Sequence, residues 1–297
     1  MERRIENSYG LKLTHLAEIQ QLERLCNQAE RLTMKLNWSV LEARPQDQIN
    51  DFLCYDHDSL VGYLALYGFN QKEVEVSAIT HPNYRRQGIF KQLLWAAAEE
   101  LTARQTPEIL FICERTSVSG KGCMHALGSN YDFSEFKMNL GTVPSLKTIP
   151  AELELRPAEV QDIHAMTQLD ELCFGVDAEV ARSWLEHDLA HDKRWMIVGL
   201  LAGQVIAKAA VIFGPAETMI VGVCVLPEFR GRGYGKAILA HTVRQVAAAY
   251  QGAISLEVAC NNDSALLLYQ HAGFEVVTAY DYYRLQVDQV KHRPLLT

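Results

Sequence analysis

The stretch VGVCVLPEFRGRGYGKAILAHTV, residues 221–243, sets three alternate glycines, Gly231, Gly233 and Gly235, among Arg230, Arg232 and Lys236. Lacking side chains, these glycines let a ligand approach the main chain where an apolar strand gives way to an amphipathic helix. Free N–H groups at such a helix start, the positive end of its dipole and three basic side chains together suit a doubly charged pyrophosphate. The alternative is a tight strand-to-helix turn that the basic residues merely keep solvated. Two nucleotide motifs are excluded by counting. A dinucleotide fingerprint from Gly231 needs glycine where Lys236 stands, and a P-loop needs Ser or Thr where Ala237 follows Gly235 and Lys236.

A loop of this kind needs a strand before it and a helix after it. Residues 217–225 read as the strand, and Leu239, Val243, Val246 and Tyr250 recur at helical spacing. Upstream, LELRPA reads as a short strand, and Ile163, Met166, Leu169 and Leu172 as one face of a helix. A second helix is expected over 177–191, then a hairpin of 193–200 with 204–213 turning at Gly203. Downstream, 253–258 reads as a strand, 264–271 as a helix and 274–285 as a final pair of strands. The order is mixed α/β.

The same plan occurs twice. A shift of 145 positions lays Pro82, Arg85, Gly88 and Gly128 on Pro227, Arg230, Gly233 and Gly273 without a gap. The apolar pattern follows, with Leu60, Val61 and Leu66 falling on Val205, Ile206 and Val211. A period this long means two whole domains, because solenoid repeats are far shorter. The expected domains are 1–145 and 151–297, joined by a linker within GTVPSLKTIP, residues 141–150. In the first copy, Thr14 is expected to cap a helix carrying Ile19, Leu22, Cys26 and Ala29.

The run Arg-x-x-Gly-x-Gly at residues 230–235, after a strand ending Val-Cys-Val-Leu-Pro, resembles the acetyl-CoA loop of the GNAT acetyltransferase superfamily. LEVACNNDSALLLYQHAGF, residues 256–274, is similar to a stretch of the ribosomal-protein N-terminal acetyltransferases within it. The resemblance covers most of 151–285. It implies two tandem α/β domains, each a twisted, mostly antiparallel sheet flanked by helices, with acetyl-CoA as cosubstrate and no metal. It further implies that strands splay apart to admit the cofactor, with main-chain amides at Val223, Cys224 and Val225 facing its pantetheine arm. The cofactor contacts it points to are these three with Arg230, Gly231, Arg232, Gly233, Tyr234, Gly235, Lys236 and Asn262. A helix N-cap explains Asn262 equally well.

Acetyl transfer to an amine needs a proton acceptor at the nucleophile, a polarised carbonyl and a proton for the departing thiolate. The phenol of Tyr269 has an ordinary pKa of about 10, near that of an alkyl thiol, which suits it to protonate that thiolate. Glu257 lies on the strand ISLEVA, on the face opposite Ile254, Leu256 and Val258, where it is placed to accept the amine proton. The resemblance assigns both residues these roles. A packed tyrosine and a solvated glutamate are the plain alternatives, and Glu217 is the second choice of base. For Tyr280, Tyr282 and Tyr283 packing is the expected role, as for most strand aromatics, and bordering an acceptor pocket together with Phe174 and Trp184 is the alternative. His187 and His191 stand four apart on a helix without a third ligand, so a solvated face is expected rather than metal.

Under the same shift Phe90 falls on Gly235, Ile112 on Glu257, Ser117 on Asn262 and Met124 on Tyr269, so the first copy lacks both acid and base. A two-residue slip would put Glu114 on the strand face of Ile112 and restore a base. SVSGKGCMHALG, where the second copy has a helix, reads as a degraded helix or a loop. The first copy is therefore expected to be non-catalytic: a scaffold, a pocket wall or a secondary acyl-CoA binder. Other readings of the whole chain are an acyl-CoA-binding sensor without turnover, or an enzyme acting on a thiol-precursor amine, since the tandem form resembles mycothiol synthases.

The 297 residues carry a formal charge of −8, which gives no general reason to expect nucleic acid or anionic lipid as partner. A small-molecule or peptide amine is the expected acceptor. Seven cysteines without a Cys-x-x-Cys pair read as thiols of a reducing cytoplasm. The longest apolar stretch, 195–213, is broken by Gly199, Gly203, Gln204 and Lys208, which suits two strands better than a membrane span.

Overall fold

The computed structural model describes residues 3–68, 72–143, 150–214 and 217–292. Two compact units emerge: unit 1 is Met1–Glu135 with Thr278–Thr297, and unit 2 is Phe136–Val277. In chain order the first copy contains β1 (Arg4–Tyr9), α1 (Leu13–Glu30), α2 (Trp38–Glu42), β2 (Ile49–Asp56), β3 (Ser59–Gly68) and β4 (Glu73–Thr80). It continues with α3 (Ile89–Ala103), β5 (Glu108–Glu114), α4 (Val118–Leu127) and β6 (Asn130–Leu140). The second copy contains β7 (Leu153–Pro157), α5 (Ile163–Phe174), α6 (Ala178–Leu189), β8 (Arg194–Leu201), β9 (Gln204–Phe213) and β10 (Glu217–Val225). After these come α7 (Tyr234–Ala249), β11 (Ala253–Ala259), α8 (Asp263–His271), β12 (Phe274–Gln286) and α9 (Val287–His292).

In unit 1 the strand order is β1-β2-β3-β4-β5-β12, and in unit 2 it is β7-β8-β9-β10-β11-β6. All neighbours with a determined register are antiparallel except β4 with β5 and β10 with β11. Residues 274–285 form one strand rather than the expected pair. Its later part belongs to unit 1, not to the second domain, because residues 280–286 hydrogen-bond along β5 from Glu114 to Glu108. The expected linker falls largely on 144–149, outside the described residues.

Strand alternation fixes two buried faces in unit 2. Ile220, Ile254, Leu256 and Val258 pack against Leu239, Val243 and Val246 of α7, while Met196, Val198 and Ala210 pack against Ile163, Met166 and Leu185 of α5 and α6. Each large side chain so buried stabilises the unit by roughly 1.5–3 kcal/mol. The β8–β9 hairpin turns through Ala202 and Gly203, both at positive φ, which matches the twist of the flanking strands.

Three expectations need correcting, and the packing role expected of the last tyrosines is met. Leu172 does not join the buried face of α5 but stands 63% exposed, and the buried position nearby is the charged Asp170. α1 starts one residue before Thr14, with Lys12 as N-cap, its N–H donating to His15 Nδ1 at 3.4 Å. The glycine-rich SVSGKGCMHALG is a regular helix, α4, capped by Ser117 Oγ accepting from Gly120 N at 3.0 Å. Tyr280, Tyr282 and Tyr283 lie in unit 1, where Tyr280 and Tyr282 are buried packing residues with Leu110 beside Phe133.

Candidate active site

In unit 2 the two parallel strands meet over a short length and then part. Among the described residues β10 and β11 pair through Glu217 with Ala253, Thr218 with Ile254 and Met219 with Ser255. Beyond those residues β10 runs on to Val225 and β11 to Ala259, so a fork opens between them. β10 also carries a bulge: its register with β9 shifts by one between Val221 and Cys224, with Gly222 at φ 59°. An extra residue in one strand bends it and re-aims its main-chain groups. The segment so turned is Gly222 to Val225, which contains the three residues expected along the pantetheine arm.

The fork's β10 arm ends in a 3-10 turn, Pro227–Phe229, and then the glycine loop. Gly231 and Gly233 hold φ 77° and 86°, conformations that only glycine adopts without cost, and a Cβ at either would meet nothing within 4 Å. Among the described residues, the six successive amides of 231–236 have no main-chain acceptor outside the helix; the first helical bond across the start is Ala237 N to Gly233 O. Such orphan donors at a helix start are a fit for a phosphate. Arg230 Nε donates to Val225 O at 3.0 Å, tying the loop to the fork. Arg232 and Lys236 are exposed, while Tyr234 is not a surface residue: its ring is buried and its hydroxyl donates to Glu152 at 3.2 Å. Its side chain therefore takes no part in the loop's exposed surface.

Tyr269, on α8, is 8% exposed and packs edge-on to Phe274, with 6.3 Å between ring centres. Its hydroxyl makes no hydrogen bond among the described residues. Burial, assisted by the neighbouring Cys224, pushes its phenol up to about 12. Glu257 lies two residues past Ser255, on the wall of the open fork, and is partly exposed. Glu217 instead sits at the closed end, ion-paired with Lys137 at 2.8 Å. Asn262 is the N-cap of α8, its Oδ1 accepting from Ala265 N at 3.1 Å. Phe174 and Trp184 are half-exposed on α5 and α6. His187 and His191 stack edge-on at 4.3 Å, and among the described residues no three His, Cys, Asp or Glu side chains gather as a metal site. No helix there is long and apolar enough to cross a membrane.

The model of the acetyltransferase (GNAT) family matches residues 16–122 and 163–274, one segment in each copy. The chain belongs to the GNAT family. A GCN5-related N-acetyltransferase from Sphaerobacter thermophilus has a similar fold, with TM-score 0.80 and 17% identity over 96% of both chains. A tandem GNAT protein from the clavulanic acid biosynthesis pathway is similar at TM-score 0.71 and 16% identity, over 96% of this chain and 99% of that one. In sequence, an uncharacterized protein of Mycobacterium leprae (strain TN) is 29% identical over 142 residues, 44% of this chain; the match spans 38% of that protein's length.

The first GNAT unit opens the same fork and fills it. β4 and β5 pair from Glu73 with Glu108 to Val76 with Phe111 and then part, and the β3–β4 register runs straight, without a bulge. Residues 31–37 cross the gap. Ser77 Oγ on β4 donates to Lys35 O at 2.7 Å; Thr33 N donates to Glu114 Oε2 on β5 at 2.5 Å; Tyr280 Oη donates to Thr33 O at 2.9 Å. Glu114 also accepts from Thr116 and Thr278, so the glutamate that a slip would have offered as a base is a buried tie. At the fork's mouth Glu30 pairs with Arg85 and accepts from Ser117 Oγ and Ser119 N, each at 3.2 Å. Burial works against its charge, but the bonds from Ser119 and Arg85 outweigh it and hold the carboxyl below its usual range.

Sequence reasoning missed a second layer in unit 2. Lys208 of β9 and Asp170 of α5 form a buried pair at 2.6 Å, with Lys208 Nζ 3.7 Å from the place of a Cβ on the bulge residue Gly222. The signal was a lysine inside an apolar strand, read only as an interruption of a membrane span.

Proposed function

We propose that the chain is an acetyl-CoA-dependent N-acetyltransferase that acetylates a primary amine, with its active site in unit 2. The observation that carries this is the bulged fork of β10 and β11, ending in six amides that, among the described residues, have no main-chain acceptor outside the helix, with a buried phenol that makes no hydrogen bond among those residues. Acetyl-CoA, when bound, supplies an activated acetyl thioester. The amides of 231–236, with Arg230, Arg232 and Lys236, hold the pyrophosphate, and the main chain of Val223, Cys224 and Val225 lines the arm. A main-chain N–H of that bulged segment is the donor that polarises the carbonyl. Glu257 accepts the amine proton, directly or through water, and Tyr269 Oη donates one to the departing sulfur. The place of Glu257 on β11 beyond the paired residues, along the fork, supports it over Glu217 at the closed end. Unit 1 is non-catalytic on this reading, since Met124 stands for the acid and a peptide segment lies across its fork.

The test is release of free thiol from acetyl-CoA across a panel of primary amines. Tyr269→Phe is expected to lower kcat by about 100- to 1,000-fold with coenzyme A affinity retained, and Glu257→Gln by about 100-fold. Because burial keeps the phenol protonated to about pH 12, kcat shows no alkaline fall from this group over ordinary assay conditions. Wild-type protein that releases no thiol with any amine, or a Tyr269→Phe variant as active as wild type, overturns the reading.

A further inference from the structure

Two thiols meet where the fork joins the loop. Cys173, near the end of α5, has its Sγ 3.6 Å from Val225 O and 3.5 Å from Arg230 Nη2, and packs against the buried cluster that contains Cys224 of the bulged strand, the residue next to Val225. Cys173 is partly exposed and Cys224 is buried. The two sulfurs therefore differ in access, while one arginine of the glycine loop touches both Cys173 and the strand. We propose that Cys173 and Cys224 form a hydroperoxide-sensitive pair that closes into a disulfide and releases Arg230 from its place at the loop. The consequence for coenzyme A rests on the function proposed above; the chemistry of the pair does not.

The step balances without a further reagent. The Cys173 thiolate attacks one oxygen of a hydroperoxide, giving a sulfenic acid and an alkoxide or hydroxide that takes up a proton. The Cys224 sulfur then attacks the Cys173 sulfur, the S–O bond breaks, and water leaves with the Cys224 proton. Two thiols are oxidised and one peroxide is reduced. The neighbouring Cys224, helped by Arg230 against partial burial, holds Cys173 below the ordinary thiol range, while Cys224 is pushed up by its nearness to Cys173 and by burial. The exposed member is thus the nucleophile and the buried one the resolving thiol. Bond formation draws the sulfurs to about 2.05 Å, pulling Cys173 off Arg230 and Cys224 out of its strand position.

Unit 1 provides the contrast. Cys26 Sγ makes the matching contact to Thr80 O at 3.4 Å, and Arg85 Nε donates to the same carbonyl at 3.3 Å. The residue before Thr80 is Ile79, so no resolving thiol is present, and burial pushes Cys26 up.

The experiment treats the full chain with hydrogen peroxide, blocks remaining thiols in denaturant and maps cross-linked peptides by mass spectrometry. Calorimetry with coenzyme A follows, before oxidation, after it, and after reduction with dithiothreitol. A peptide joining Cys173 to Cys224 is expected in wild type and not in Cys173→Ser or Cys224→Ala, with none formed at Cys26. Oxidation is expected to weaken coenzyme A binding at least about tenfold, reversibly, an effect that Cys173→Ser abolishes. Reduced protein that binds coenzyme A but yields no such peptide overturns the pair, as does a cross-link that leaves affinity unchanged. Failure of the reduced wild type to bind coenzyme A would instead count against the proposed function, with the cross-link still read by mass.

Discussion

The forks of unit 1 and unit 2 share a frame and differ in what stands inside it. Each opens where a parallel strand pair ends, each is followed by a 3-10 turn, and each arm leads to a left-handed residue pair at a helix start: Arg86 and Gly88 in unit 1, Gly231 and Gly233 in unit 2. In unit 1, α1 continues past Cys26 to Glu30, and residues 31–37 then lace β4 to β5. In unit 2, α5 stops at Phe174, and residues 175–177 turn back on the helices: Val176 N donates to Asp170 O, and Asp177 caps α6. Fold and site are thus separable. A connection a few residues longer, and one bulge fewer, turn a cleft into a core while every strand keeps its neighbour.

If that separation is right, the forks rest on different buried polar supports, and removing one should act on its own unit. The largest effect is expected at the Lys208–Asp170 pair, because stripping one partner leaves an uncompensated buried charge. Asp170→Asn is expected to destabilise unit 2 by about 3–5 kcal/mol, and the double change Lys208→Met with Asp170→Leu to recover most of it. Urea unfolding with hydrogen exchange resolved to peptides measures this. Equal loss of protection in β2 to β5 would break the comparison, since unit 1 has its own buried support in Arg44, Asp51 and Tyr63, with Tyr63 Oη 2.6 Å from Asp51.

A smaller effect is expected at Glu30. Its depressed carboxyl contributes stability that is present above its ordinary value of 4.5 and is lost as pH falls through the lower folded value. Glu30→Gln is therefore expected to cost unit 1 about 2 kcal/mol near neutral pH, with the gap to wild type closing in acid. Denaturant midpoints taken from about pH 7 down to pH 3 test the sign. A gap that widens in acid would mean that Glu30 does not act as the charged tie across the fork.

Much of the frame was legible because strand and helix periods are local properties. The limits of β10 and the cap Asn262 followed from alternation and from a short polar side chain at a helix start. The shift of 145 also reads through the bulge unnoticed, since one added residue in β10 leaves the motif at Arg230 in register while displacing the strand before it. The closure of the first fork was not legible. It depends on Thr33 and Lys35 offering main-chain groups to Ser77 and Glu114, and no side-chain pattern marks a segment that bonds through its backbone. The last strand misled for a similar reason: its apolar alternation fits a sheet of either unit, and only the register with β5 decides.

The finest test of the shared frame lies at Arg86 and Gly231. Both hold left-handed backbone, at φ 60° and 77°, but only the second has the residue type suited to it. A side chain in that region costs about 1 kcal/mol, so Gly231→Ala is expected to destabilise unit 2 by about that amount. No clash adds to it, because a Cβ there meets nothing within 4 Å. The reverse change, Arg86→Gly, relieves the same strain in unit 1 but adds the unfolded-state freedom of glycine, and is expected to shift stability by less than about 0.5 kcal/mol. Thermal unfolding of the two single variants measures the asymmetry. A gain of 1 kcal/mol or more from Arg86→Gly would mean that the first loop is held in its left-handed shape against greater strain than its own residues favour, and that this shape is imposed by the frame alone.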